Sequence, residues 1–207
     1  FPNNQSAKKE IILLDSKEAL NPTQVQLDKV MGFYSAGRIN QALESVELLI
    51  KDYPNEYLLF NICGACHSEI GSTELAIENF KKAIALKIDY SEAQFNLGVA
   101  FQKLNQLDNA SDYYLQAIHS QHAYPSAHNN LGIIFLNKGR IDAAVKSFEW
   151  AIAYSPNYAE AYNNLGSALQ ELKQFKNAKK QFEKACSINP NYAQAFHNLG
   201  ILSEITN

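Results

Sequence analysis

The sequence predicts an all-α fold, an α-solenoid of antiparallel helix pairs. Three observations carry that prediction. Leu-Gly recurs at Leu97-Gly98, Leu131-Gly132, Leu165-Gly166 and Leu199-Gly200, in steps of 34 residues. The same step relates Ala42, Ala76, Ala110, Ala144 and Ala178, then Ala83, Ala117, Ala151 and Ala185, and also Phe80, Tyr114, Phe148 and Phe182, with Val46 one step earlier. Each period also holds two stretches, such as Ala159 to Leu172 and Lys176 to Asn189, with apolar residues at three- and four-residue spacing. That spacing lays apolar side chains along one face of a helix. Several series in a single register mark an internal repeat.

Each period needs a reversal and a stop. The reversal falls at Gly37, Gly71, Asn105, Gly139 and Lys173. Gly and Asn accept the left-handed conformation that ends a helix, and Lys173 is the exception. Pro54, Pro156 and Pro190 close the second helix, with Ile88 and His122 in the intervening slots. Gly166 and Ala178 fall on facing sides of one hairpin, where minimal side chains let two backbones approach. Leu169 and Phe182 fill the space beside them. A single hairpin leaves an apolar face uncovered, and the next hairpin covers it.

The period and the Leu-Gly, Ala and Pro positions resemble the tetratricopeptide repeat (TPR). The resemblance gives a TPR domain over 23–207, with repeats at 23–56, 57–90, 91–124, 125–158 and 159–192 and a sixth first helix at 193–207. Repeats four and five match best. In repeats one and two, Lys29-Val30 and Cys63-Gly64 replace Leu-Gly. In style the chain is similar to the TPR superhelix of O-linked N-acetylglucosamine transferases and to bacterial TPR scaffolds. The family implies a right-handed superhelix whose concave groove is lined by first helices. Residues 1–22 lie outside the repeat and read as a capping segment for repeat one or as an arm that docks on another protein.

Bulk composition narrows the function. Of 207 residues, 46% are hydrophobic and 19% charged, enough for a packed core. A net charge of −3 does not suit nucleic acid as partner. Three cysteines argue against a disulfide framework and for a reducing compartment, cytoplasmic by default. The longest apolar run, Ile11 to Leu14, is far too short for membrane insertion. The chain begins at Phe1, so preceding sequence is expected and targeting is not readable.

Cys63-Gly64-Ala65-Cys66-His67 has the C-x-x-C-H form of a haem attachment site. The register assigns it elsewhere: Cys63 takes the slot of Leu97, Cys66 that of Ala100 and His67 that of Phe101. All three are expected in hairpin packing, where a thiol acts as a small apolar group. His119 and His122 lack a third ligand at metal spacing and read as a solvated helix end. No phosphate-binding loop, dinucleotide motif or nucleophile elbow is present. No catalytic residue, cofactor or metal is expected in these residues.

The groove remains. The residue before Leu-Gly is Asn96, Asn130, Asn164 and Asn198. Positions four before it and three and six after it share its helix face, and the candidate binding surface takes in Asn129, Asn163, Gln102, Gln170, Glu160 and Lys103. A carboxamide both donates and accepts, so a row of them can pair with successive peptide units of an extended chain. The row resembles the asparagine ladder of the glycosyltransferase superhelix. The alternative is a solvated consensus residue. A ladder facing solvent implies that Asn130→Ala with Asn164→Ala weakens partner binding and leaves melting unchanged. A carboxylate clamp like that of chaperone-binding TPR adaptors is not expected, because Lys103 is almost the sole cation. Toward the N-terminus the face turns apolar, at Leu27, Met31, Leu58, Ile62 and Ala65. The expected function is a protein-interaction scaffold for an extended protein segment. The alternative is the recruiting region of a larger modifying enzyme. A third possibility is self-association through the helix that starts at Ala193.

Overall fold

The computed structural model describes residues 21–206, which leaves most of the expected N-terminal arm outside the described residues. Among them run eleven helices and no strand. They are α1 (Gln24–Ser35), α2 (Ile39–Asp52), α3 (Tyr57–Glu69), α4 (Thr73–Leu86), α5 (Ser91–Lys103), α6 (Leu107–Ser120), α7 (Pro125–Asn137), α8 (Ile141–Tyr154), α9 (Ala159–Glu171), α10 (Phe175–Ile188) and α11 (Ala193–Thr206). Consecutive odd and even helices form hairpins, and α9 and α10 end within a residue of the boundaries read from the sequence. No described helix is long and apolar enough to cross a membrane.

Local chemistry sets the ends. Thr23 and Gln26 form a reciprocal capping box at the start of α1: Gln26 N–H donates to Thr23 Oγ1 at 3.3 Å and Thr23 N–H to Gln26 Oε1 at 2.8 Å. All five hairpin turns share one device. At the last, the Lys173 and Gln174 N–H groups donate to the carbonyls of Gln170 (2.8 Å) and Leu169 (2.9 Å). This paired closure satisfies orphan carbonyls and demands a left-handed residue. Gly37, Gly71, Asn105, Gly139 and Lys173 all have positive φ. Lys173 takes it at 58° despite its side chain, so the closure prevails over the residue's own preference.

Within each hairpin a ring lies on a glycine. A Cβ added at Gly166 would meet Phe182 Cε1 at 2.6 Å, and one at Gly132 would meet Phe148 Cε1 at 2.6 Å. Gly98 faces Tyr114 and Gly64 faces Phe80 in the same way. All four rings are buried. The first hairpin departs in both slots at once: Val30 stands where the glycine belongs and Val46 where the ring belongs, and both are buried in one cluster. Two medium side chains replace one minimal and one large, which conserves volume across the contact.

The chain divides into two compact units between Ile88 and Asp89. In the first, Val30, Ala42, Val46, Leu49, Leu59, Ile62, Cys63 and Cys66 form a core shared by α1, α2 and α3. In the second, Ala144, Phe148, Leu165, Ala168, Leu169, Ala178, Phe182 and Leu202 join α8, α9, α10 and α11. Each cluster spans more than one hairpin, so neither hairpin holds its core alone.

Substitution by alanine separates the ring contact from helix propensity. Gly166→Ala is expected to lower stability by about 1–3 kcal/mol, because the buried Phe182 ring cannot yield. Gly200→Ala, with nothing within 4 Å of the new Cβ, should be neutral or up to about 1 kcal/mol stabilising. Urea melts of the two variants provide the comparison.

Candidate functional site

The second unit presents its first helices α5, α7, α9 and α11 with the asparagine series half-buried along them: Asn96, Asn130, Asn164 and Asn198. Their leucine neighbours Leu97, Leu131 and Leu165 are buried, so each carboxamide sits at the margin between core and open face. Side-chain bonds run from repeat to repeat. Asn164 Nδ2 donates to Asn129 Oδ1 at 3.0 Å, which links α9 to α7. Asn198 Nδ2 donates to Asn163 Oδ1 at 2.9 Å, which links α11 to α9. Asn198 Oδ1 accepts from Gln194 Nε2 at 3.0 Å.

Asn130 follows a different route. The slot of Asn129 and Asn163 holds Phe95 one repeat earlier, which offers no acceptor. Asn130 Nδ2 turns instead to the Tyr114 hydroxyl at 3.2 Å, and that hydroxyl donates to Gln102 Oε1 at 2.6 Å. Tyr114 is the one tyrosine in the ring series, and its hydroxyl serves this chain. Burial pushes the phenol up to about 12, partly offset by the Asn130 bond, so it stays protonated and able to donate.

These contacts correct two sequence expectations. Asn129 and Asn163 do not belong to the contact surface. They are buried and act as acceptors beneath the series. Asn129 Nδ2 is enclosed without a hydrogen-bond partner among the described residues. The asparagine series also carries structural bonds, so its loss should not leave melting unchanged. Gln102 and Gln170 are half-buried, while Glu160 and Lys103 are exposed. In the first unit the apolar face is smaller than expected. Ile62 is buried in the core with Leu58 packed against it, and Met31 stays exposed.

A tyrosine series escaped the sequence reading. Tyr90, Tyr124, Tyr158 and Tyr192 keep the 34-residue step, each just ahead of a first helix. Tyr124 stacks on Phe95 with centroids 5.1 Å apart. Burial raises its phenol to about 12, with Glu92 adding to the shift. Tyr158 and Tyr192 are raised by burial first and then by Glu160, which acts on both. Tyr90 donates to Glu92 Oε2 at 3.1 Å. The edge of the face thus combines neutral phenols with carboxylates. The signal was available, because the step is the same as that of Leu-Gly.

Cys63, Cys66 and His67 are buried in the first unit, as the register implied. Burial raises the thiols to about 12 and about 11, so both are protonated at neutral pH. His119 and His122 are exposed. The His122 carbonyl is 3.1 Å from Nε2 of His128, a histidine that the sequence had not singled out. His128 is buried beside Trp150 and Tyr154, with centroids at 6.4 and 5.6 Å.

With the fold and this face described, comparison with known proteins places the chain. Tetratricopeptide-repeat family profiles match residues 68–105 and 134–173 (TPR repeat) and 91–120 and 159–192 (Tetratricopeptide repeat). The chain belongs to the tetratricopeptide-repeat family. Among solved structures, MamA matches with a TM-score of 0.69 at 26% identity, over 79% of this chain and 95% of that one. YrrB, described as a TPR protein with an unusual peptide-binding site, matches with a TM-score of 0.68 at 20% identity, over 91% and 95% of the two chains. At that identity the likeness concerns the fold alone. A peroxisomal targeting signal receptor of Saccharomyces cerevisiae is 25% identical over 113 residues, which cover 55% of this chain and 18% of the receptor.

Two outcomes follow. Asn164→Ala removes a bond and leaves the Asn129 carboxamide with neither donor nor acceptor paired, at an expected cost of about 1–3 kcal/mol in a urea melt. His128 is held below the usual histidine range by burial, partly offset by its bond to the His122 carbonyl. Its folded-state pKa lies below the unfolded value, so its contribution is intact above about pH 6.5 and is lost as pH falls from there toward the folded value. The melting temperature should fall between pH 7 and 5.5 by less in His128→Gln than in the parent. Gln94 already fills that slot one repeat earlier.

Proposed function

We propose that the second unit holds an extended segment of another protein against the face formed by α5, α7, α9 and α11, gripping its backbone through the asparagine series. The chain is a TPR protein, and the repeat supports a protein-interaction scaffold in general. One observation carries the finer reading. Asn130 and Asn164 each commit one amide hydrogen to a neighbouring side chain, and that bond orients the carboxamide. A second amide hydrogen and a carbonyl oxygen remain in the inventory of each. A half-buried, oriented amide loses little freedom on binding, and such preorganisation favours affinity. A repeat step of carboxamides matches a ligand whose own polar groups repeat, and the polypeptide backbone is such a ligand. The name of the yeast relative, a receptor for a targeting signal, is compatible with recognition of a polypeptide segment.

The test uses peptides of about 15 residues selected on the purified chain from a random library. Methylation of single backbone nitrogens in the middle of a selected peptide should lower affinity at least about fivefold per site, the equivalent of ~1 kcal/mol for a lost hydrogen bond. Replacing side chains at the same positions should matter less. Gln170→Ala and Glu160→Ala, on side chains that reach solvent, should weaken binding without moving the melt. Affinity that ignores backbone methylation and both substitutions contradicts the reading.

A further inference from the structure

Three polar side chains meet between α2 and α3 of the first unit. Cys63 and His67 stand one helical turn apart on α3, and Glu47 reaches them from α2. The Cys63 sulfur, a carboxylate oxygen of Glu47 and a ring nitrogen of His67 all lie within 4.8 Å of one another. We propose that Glu47, Cys63 and His67 form a binding site for a divalent transition-metal ion of the zinc class.

Packing accounts for the Cys63 thiol but not for an imidazole at position 67. The equivalent positions in later repeats are Lys81, Leu97 and Phe101, then Leu115, Leu131 and Phe135, then Glu149, Leu165 and Leu169. A thiol can stand in for leucine as a small apolar group. An imidazole cannot stand in for phenylalanine without cost, because its nitrogens need partners. His67 is more than nine-tenths buried, and its Nδ1 has no hydrogen-bond partner among the described residues. Native structures rarely leave such a group orphaned, and a bound ion is one of the standard reasons.

A divalent cation would be held by the imidazole, the thiolate and the carboxylate together. Zinc binds thiolate sulfur at about 2.3 Å and imidazole nitrogen and carboxylate oxygen at about 2.0–2.2 Å. Tetrahedral ligand atoms then lie roughly 3.3–3.8 Å apart. The exposed Glu47 side chain has the freedom to close the small remaining distance. A sulfur, nitrogen and oxygen set suits zinc or cobalt rather than the all-oxygen ions calcium and magnesium. Binding forms the metal–sulfur bond and releases the thiol proton to solvent, and the thiolate and carboxylate charges balance the ion. Lys82, which acts on Cys63, is paired with Glu78 at 2.9 Å.

The experiment uses the whole 207-residue chain, untagged and reduced, titrated with cobalt(II) as the spectroscopic probe and then with zinc(II) as competitor. One equivalent of cobalt should give a thiolate charge-transfer band and tetrahedral visible bands, and zinc should displace both. The charge-transfer band should vanish in Cys63→Ser and persist in Cys66→Ser and Cys186→Ser. Glu47→Gln, at an exposed position that does not endanger folding, should weaken binding at least about tenfold, as should His67→Gln, with helicity checked by circular dichroism. Absence of saturable binding in the parent overturns the proposal. So does binding that is unchanged in Glu47→Gln, or a thiolate band that follows Cys66 or Cys186.

Discussion

In four of the five hairpins an aromatic ring lies on a glycine, and the rest of the architecture follows from that contact. Gly166 against Phe182 and Gly132 against Phe148 leave no room for even a methyl group. The close approach brings the alanine series, Ala144 and Ala178 among them, into full burial. It also sets how far apart the helices of a pair sit, and so where the next first helix docks. The asparagine bonds between α7, α9 and α11 depend on that spacing, because a side-chain bond of 2.9–3.0 Å tolerates little drift. Residues that pack the hairpin thus place residues that face outward.

The asparagine face combines support with presentation. Asn129 and Asn163 lie buried beneath it, and Asn164 and Asn198 lean on them from the next repeat. Tyr114 does the same for Asn130 where Phe95 interrupts the pattern. A polar network of this kind rigidifies a face only when its members are satisfied. The recurring tyrosines add an edge of protonated phenols beside Glu92 and Glu160, so the face offers donors and acceptors with little positive charge. That character is the basis of the proposed grip on a polypeptide backbone.

The repeat was legible because its strongest signals lie along the chain at one fixed step. Leu-Gly, the alanines and the ring series gave the helix pairs, and the turn residues gave the reversals within a residue or so. What stayed hidden joins positions that a single series does not connect. The exchange of Val30 and Val46 for glycine and ring is visible only when two slots are compared together. The bond from Asn164 to Asn129 crosses 35 residues and uses a slot that is asparagine at 61, 129 and 163 but phenylalanine at 95. Glu47 approaches Cys63 and His67 from the preceding helix, where rules for ligand spacing along a helix do not look. The tyrosine series keeps the same step but stands at helix entrances, away from the close-packed glycine and alanine positions that mark the repeat most strongly.

The central claim is that an extended polypeptide lies on the first-helix face of the second unit. Site-specific photocrosslinking tests it most directly. Benzoylphenylalanine placed at Gln170, on that face, is compared with the same probe at Lys180, an exposed residue of α10, each with a selected peptide bound. The account predicts crosslinks from position 170 that map to the middle of the peptide, with none from position 180. Crosslinks confined to position 180, or absent from position 170 while the peptide still binds, would contradict it.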